Sequence, residues 1–198
     1  MYKKAIAAGI LFFATLYCFG QGKWEQKIND HGIEIFTRKP LSGNLKELRV
    51  VCDLACSKAQ LIKTLQDIQN YHNWVYSTKK TEMLKVVSPQ QIIYYSVSHL
   101  PWPLKDRDLI VQLTIFPSTD NTFEIEAKSL PTYLPQRKEY IRVPYSLAKW
   151  KVTEVNDHLL KIDYTFSVDP GGSIPVWLVN STLAIGPYNS FTKLREVL

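Results

Sequence analysis

The sequence predicts an α+β fold in which one curved antiparallel sheet is crossed by a long C-terminal helix. Three observations predict it. Segments of alternating apolar and polar residues follow one another through most of the chain, separated by turn residues, as half-buried antiparallel strands do. The pattern changes to helical periodicity over residues 173–198. Of the 198 residues 45% are hydrophobic and 12% aromatic, enough to offset the entropy of ordering one domain. That composition excludes intrinsic disorder, and three cysteines are too few for a disulfide scaffold. No self-similarity at the period of a solenoid or propeller is present.

Residues 1–20 stand apart. Met1-Tyr2-Lys3-Lys4 is a basic start, residues 5–19 are uncharged and mostly apolar, and small residues follow at Cys18 and Gly20, the pattern of a secretory signal. The apolar run is shorter than the roughly 18–20 residues a membrane span needs, so a retained anchor is the alternative reading. Tyr17 puts a bulky ring where a lipoprotein signal ending at Cys18 needs a small residue. Residues 1–20 are therefore read as an export signal and 21–198 as one domain, periplasmic or secreted.

Residues 24–28 and 33–37 flank Asp30-His31-Gly32 and read as a hairpin, continued by a strand at 45–54. Ser57 can cap a helix reaching residue 70, with Leu61, Leu65 and Ile68 on one face. Strands are then expected at 81–87, 91–97, 108–116, 123–130, 138–143, 150–155 and 159–168, punctuated by Ser88-Pro89, Asp120-Asn121 and Asn156-Asp157. Asp169-Pro170-Gly171-Gly172 breaks the last strand, Ser173 offers an N-cap hydroxyl, and Pro175 suits a first helical turn. Val176, Val179, Leu183, Phe191 and Leu194 give that helix an apolar stripe, which Gly186-Pro187 should kink. A sheet wrapped around a helix without filling the space between them encloses an apolar chamber suited to a hydrophobic ligand; a solid core is the alternative.

Charge argues against nucleic acid. The chain carries 24 Lys+Arg against 18 Asp+Glu, a net +6 that falls to +4 without Lys3 and Lys4. The excess is dispersed, with Lys79-Lys80 and Arg137-Lys138 the densest pairs, whereas nucleic-acid binding concentrates it in a stripe. What remains is a modest bias toward anionic membrane surfaces.

Two segments carry a resemblance: Pro101-Trp102-Pro103-Leu104-Lys105-Asp106-Arg107-Asp108, entering a strand, and residues 169–180, Asp-Pro-Gly-Gly-Ser-Ile-Pro-Val-Trp-Leu-Val-Asn, opening the final helix. Together they resemble START domains, the steroidogenic-acute-regulatory-protein-related lipid-transfer family. Trp24 with its hairpin and Arg38, Tyr71-His72-Asn73-Trp74, and Arg142 before Trp150 extend the resemblance over the domain in the expected order. It implies a helix-grip fold with one internal tunnel for a single lipid, and a lid formed by residues 173–198 and 99–105. The residues expected at the ligand are Tyr94, Ser96, Arg107, Gln112, Trp177 and Asn180; those expected for lid and membrane contact are Trp102, Leu104, Gly186 and Pro187. Buried, Arg107 needs a carboxylate or carbonyls as partner, or else a lipid polar group. Some sterol-binding members set a carboxylate and an arginine inside the tunnel, but here residues 109–114 hold no second arginine and residues 92–96 no carboxylate. Tyr94, Ser96, Gln112 and Thr114 share one parity within their strands, and which set faces the tunnel stays open at this stage.

Catalytic patterns are weak. His31, His72, His99 and His158 are dispersed and none has metal-ligand spacing, so no metal or cofactor is expected. Cys52 and Cys56 either pair or remain buried thiols, and Cys56 with His72 lacks an orienting third group. No nucleophile elbow, phosphate loop or dinucleotide fingerprint occurs. Asn180-Ser181-Thr182 matches a glycosylation sequon but falls on the predicted helix, so it is read as chance. The expected function is a non-catalytic, monomeric lipid-binding or lipid-transfer protein that touches membranes transiently. The alternative is a helix-grip enzyme, of cyclase or hydrolase type, whose acid or base would be His99, Asp106 or Asp108.

Overall fold

A computed structural model describes residues 22–40, 43–117 and 119–198; the expected export signal lies outside them. The described chain runs β1 (Glu25–Asp30), β2 (Ile33–Arg38), β3 (Glu47–Leu54), α1 (Lys58–Gln66), a 3-10 turn (Ile68–Asn70) and α2 (Tyr71–Trp74). It continues through β4 (Thr78–Ser88), β5 (Gln91–Ser98), β6 (Arg107–Ile115), β7 (Thr122–Ser129), β8 (Ile141–Arg142), β9 (Tyr145–Asn156) and β10 (Leu159–Asp169), and closes with α3 (Val176–Thr182) and α4 (Ile185–Val197). One sheet holds the strands in the order β1-β2-β3-β10-β9-β7-β6-β5-β4, each neighbour antiparallel, with β8 lying parallel to β6 off that path.

Local chemistry explains the elements. His31 and Gly32 both take positive φ, 48° and 70°, which matches a tight hairpin turn to the twist of β1 and β2. Ser57 and Gln60 form a reciprocal capping box at α1: Gln60 N–H donates to Ser57 Oγ (3.2 Å) and Ser57 N–H to Gln60 Oε1 (2.9 Å). β3 buries Leu48, Val50, Cys52 and Leu54 on one face, as its alternation requires. Those residues meet Ile35, Leu61, Ile162 and Leu194 in a core between the sheet, α1 and α4. On the opposite face Ile93, Tyr95, Val97 and Ile110 form a smaller cluster beneath Leu130, Leu134 and Tyr140.

Three expectations need correction. Residues 173–198 form two helices rather than one kinked helix, broken at Leu183-Ala184. The reason is Pro187: it has no N–H to donate to the carbonyl of Leu183, and its ring crowds that turn, so α4 starts afresh with Tyr188 N–H on Ala184 O at 3.2 Å. Ser173 does not cap α3, whose N-cap position is Pro175. Asp169 instead accepts from the Gly171 N–H at 2.9 Å, closing a turn in which Gly171 and Gly172 take φ of 66° and 68°. The strand expected at 138–143 shrinks to Ile141–Arg142, because the preceding residues cross the outer face as a loop held by Arg142.

Candidate functional site

Where the core stops, a chamber begins. A cavity of about 310 Å³ lies between the sheet and the helices α2 and α4. In β5 the lining residues are Tyr94, Ser96 and Ser98; in β6 they are Leu109, Val111 and Leu113. The antiparallel register sets Tyr94 against Val111 and Ser96 against Leu109, so these residues share the concave face. Three rings form the floor: Tyr164 packs edge-on against Trp150 at 4.9 Å and against Phe191 at 5.2 Å between centroids. A second cavity of about 440 Å³ adjoins the first, sharing Tyr76, Ser98, Phe166 and Gly186 with it. Leu100, Pro101 and Leu104 wall it on one side and Leu178, Val179 and Leu183 on the other. Among the described residues neither cavity is lined by Asp, Glu, Lys or Arg, and only His99 at the outer one adds an imidazole.

The polar side-chain groups of the inner chamber are hydroxyls and indole N–H groups, and Trp74 Nε1 is buried without a hydrogen-bond partner among the described residues. Tyr71 donates to Leu65 O at 2.5 Å and meets Tyr94 edge-on at 5.5 Å. Burial pushes the Tyr71, Tyr94 and Tyr164 hydroxyls well above the ordinary phenol range, so all three stay protonated at neutral pH. Among the described residues no group pairs with the Tyr164 hydroxyl.

Two buried arginines serve the walls. Arg107, 3% exposed, donates from Nε to Pro170 O (3.2 Å), from one terminal nitrogen to Gly171 O (3.1 Å) and from the other to Lys105 O. It thereby ties the turn before α3 to the root of the 99–105 loop. Arg142 reaches Asp108 through two bonds of 3.0 and 2.9 Å and gives its remaining donors to Pro131 O, Leu134 O and Pro135 O. At the loop itself Asp106 accepts from Leu100 N–H (3.2 Å) and from Lys79 Nζ (2.9 Å), and contacts His99 Nδ1 at 3.0 Å. The Lys79 bond holds the Asp106 carboxyl below its usual range.

The structure separates the residues expected at the ligand. Tyr94 and Ser96 line the inner chamber. Gln112 pairs with Ile93 and stands on the other face of β6 beside Thr114, because register joins the odd residues of β6 to the even residues of β5. Arg107 spends its donors on carbonyls and lines neither cavity. Trp177 is 71% exposed on α3, away from both cavities. Asn180 binds backbone instead of ligand, accepting from Lys46 N–H at 2.9 Å and donating to Asn44 O at 3.1 Å. Leu104 walls the outer cavity, Gly186 both, and Pro187 the inner one, while Trp102 projects 91% exposed from its loop. Cys52 and Cys56 are separate buried thiols, and burial pushes Cys52 up to about 12. Trp150, Tyr164, Phe166 and Phe191 were absent from the sequence-based site. The signal for Tyr164 and Phe166 was parity with the buried Leu160 and Ile162.

The START domain family profile matches residues 13–198. The chain belongs to the START domain family. Curved sheet, C-terminal helices and internal chamber are the helix-grip arrangement of that family. An uncharacterized protein of Pseudomonas aeruginosa is 27% identical over 173 residues, 87% of this chain and 85% of that one. The crystal structure of a STAR-related lipid transfer protein fragment from Xanthomonas axonopodis superposes with a TM-score of 0.81 at 27% identity, covering 87% of this chain and 97% of that one. Mouse phosphatidylcholine transfer protein is 24% identical over 162 residues, 79% of this chain and 75% of its own length. Membership in START supports a lipid-binding function for the chamber.

Proposed function

We propose that this START protein is a non-catalytic lipid carrier that encloses one hydrophobic molecule, such as a sterol, a fatty acid or a phospholipid chain, and exchanges it at a membrane. The observation that carries this reading is the pair of adjoining cavities, about 310 and 440 Å³, within the range of small-molecule sites and, among the described residues, lined by no acidic or basic side chain other than His99. Affinity comes chiefly from apolar burial, at roughly 25 cal/mol per Å² removed from water. Exchange requires the 99–105 loop and α3 to part, opening the outer cavity between them. The basic and apolar start of residues 1–20 supports export, testable by fractionating cells that produce the full chain.

The enzymatic alternative rests on one contact, His99 with Asp106, at the outer cavity. Asp106 also holds Lys79 and Leu100 N–H, which makes it an anchor of the loop first. Organic extraction of the purified protein followed by mass spectrometry tests both readings. A stoichiometric, unmodified lipid is the expected result. Conversion of that lipid on incubation, abolished in His99→Ala, would replace the carrier with an enzyme.

A further inference from the structure

A third hollow, a cleft of about 400 Å³, opens between the connection from β2 to β3 and the ends of β9 and β10, and meets the outer cavity at Val168. Among the described residues its charged walls are Arg38, Lys39 and Lys46 against Glu47 and Asp169. Both carboxylates are already engaged. Glu47 accepts from Arg38 Nε at 2.6 Å, and Asp169 from the Gly171 N–H at 2.9 Å. The Arg38 guanidinium also lies over the Trp24 ring, 4.4 Å from its centroid. Glu25 on β1 is within electrostatic reach of Lys39 and Lys46, but its own ion pair is with Lys27 at 2.9 Å. Two ammonium groups are thus left in an open cleft without an ion-pair partner among the described residues. Tyr145, whose hydroxyl meets Ser167 Oγ at 3.4 Å, adds a neutral donor. Cations beside a hydroxyl suit an oxyanion such as a phosphate.

The position of the cleft narrows the source of that anion. Asn180 fastens α3 to the backbone of Asn44 and Lys46, so the flap is rooted in the segment that carries one of the two lysines. Trp177 stands one turn before Asn180 on the same side of α3 and is 71% exposed, with Val176 exposed beside it. A soluble phosphate gains nothing from such apolar neighbours. A bilayer offers phosphate at its surface and, just beneath, the boundary between water and hydrocarbon that indole rings favour.

Resting on the proposed exchange at a membrane, we infer that this cleft seats the phosphate of an anionic phospholipid of the bilayer, with Lys39 and Lys46 as its cations. The seated lipid stays in the membrane and does not enter the chamber. Docking there brings the root of α3 and the exposed Trp177 to the bilayer together, which ties recognition of an anionic surface to the element that must part for exchange.

Sedimentation with vesicles tests this, using phosphatidylcholine alone or with about a third of it replaced by phosphatidylglycerol. The mixed vesicles should bind at least about tenfold more tightly, and added salt should weaken them as it screens the surface charge. Lys39→Gln and Lys46→Gln should each cost about fivefold on the mixed vesicles, the worth of one lysine near an anionic surface. Lys46→Arg, which keeps the charge, should retain binding. Lys161→Gln removes the same charge from an exposed position eight residues before Asp169 on β10. It should change binding by less than about twofold, being beyond the screening distance from the cleft. The inference is overturned if both vesicle types bind equally, if Lys161→Gln costs as much as the cleft variants, or if inorganic phosphate binds the protein while the mixed vesicles do not. Lipid extracted from the same samples separates the two readings. Ligand present without a preference for anionic vesicles removes the docking site and leaves the carrier; ligand absent removes the carrier and the docking site with it.

Discussion

Asp108 and Arg142 form the most deeply buried ion pair among the described residues, at 0% and 6% side-chain exposure, and neither touches the chamber. Such a pair contributes little beyond its desolvation cost while intact, but removing one partner strands the other charge. Asp108→Asn keeps the volume and removes the charge, leaving the Arg142 guanidinium with neutral acceptors only. Urea denaturation should show a loss of about 3–5 kcal/mol, and a loss under about 1 kcal/mol would mean that the carbonyls of the 131–135 loop suffice. Arg107, next in sequence, has no carboxylate in that arrangement; its partners are the carbonyls of Pro170, Gly171 and Lys105. Adjacent residues on a strand face opposite ways, so Arg107-Asp108 joins two separate clasps, one on each face of β6. That the pair was buried could be read from its place in a strand. Apart from Lys105, two residues away, the partners could not, because Arg142, Pro170 and Gly171 lie from 34 to 64 residues away along the chain.

At the scale of elements, alternation located most strands, and the turn signals at Ser88-Pro89 and Asn156-Asp157 separated them where the structure does. Alternation within a strand says nothing about its register against the next, however. Tyr94 and Gln112 were grouped by parity alone, and pairing Tyr94 with Val111 sends Gln112 to the opposite face. The break between α3 and α4 was legible as a proline signal but displaced, since a proline disrupts the turn before it and leaves the turn after it intact. That break makes α3 a short flap, fastened at Asn180 to the backbone of Asn44 and Lys46. Opposite changes should therefore act in opposite directions on vesicle-to-vesicle lipid exchange. Asn180→Ala removes both fastenings and should raise the exchange rate several-fold. Replacing Gly186 and Pro187 together with alanine restores an N–H able to reach Leu183 O, favours one continuous helix, and should slow exchange. Equal rates in both variants would show that α3 does not open as a flap.

At the scale of the whole molecule, several exposed large apolar side chains gather around the outer cavity. Trp102 on the 99–105 loop, Trp177 and Val176 on α3, Ile185 on α4 and Tyr76 after α2 are all exposed, and all belong to elements that border the outer cavity. Among the described residues no helix is long and apolar enough to cross a membrane. On the carrier reading proposed above, this rim is the surface that would meet a bilayer. Indole rings favour the boundary between water and hydrocarbon, and Trp102 is held outward by a loop whose base is pinned at Asp106. An exposed side chain contributes little to stability, so Trp102→Ala should unfold within about 0.5 kcal/mol of the unaltered protein. Its ligand occupancy at equilibrium should also hold, because Trp102 lines neither cavity. The rate of transfer between vesicles should nevertheless fall several-fold, since docking precedes opening. A matching fall in occupancy would make Trp102 part of the seal over the ligand rather than the membrane contact. Unchanged transfer would move the docking surface to α3, where Trp177→Ala should then show the loss.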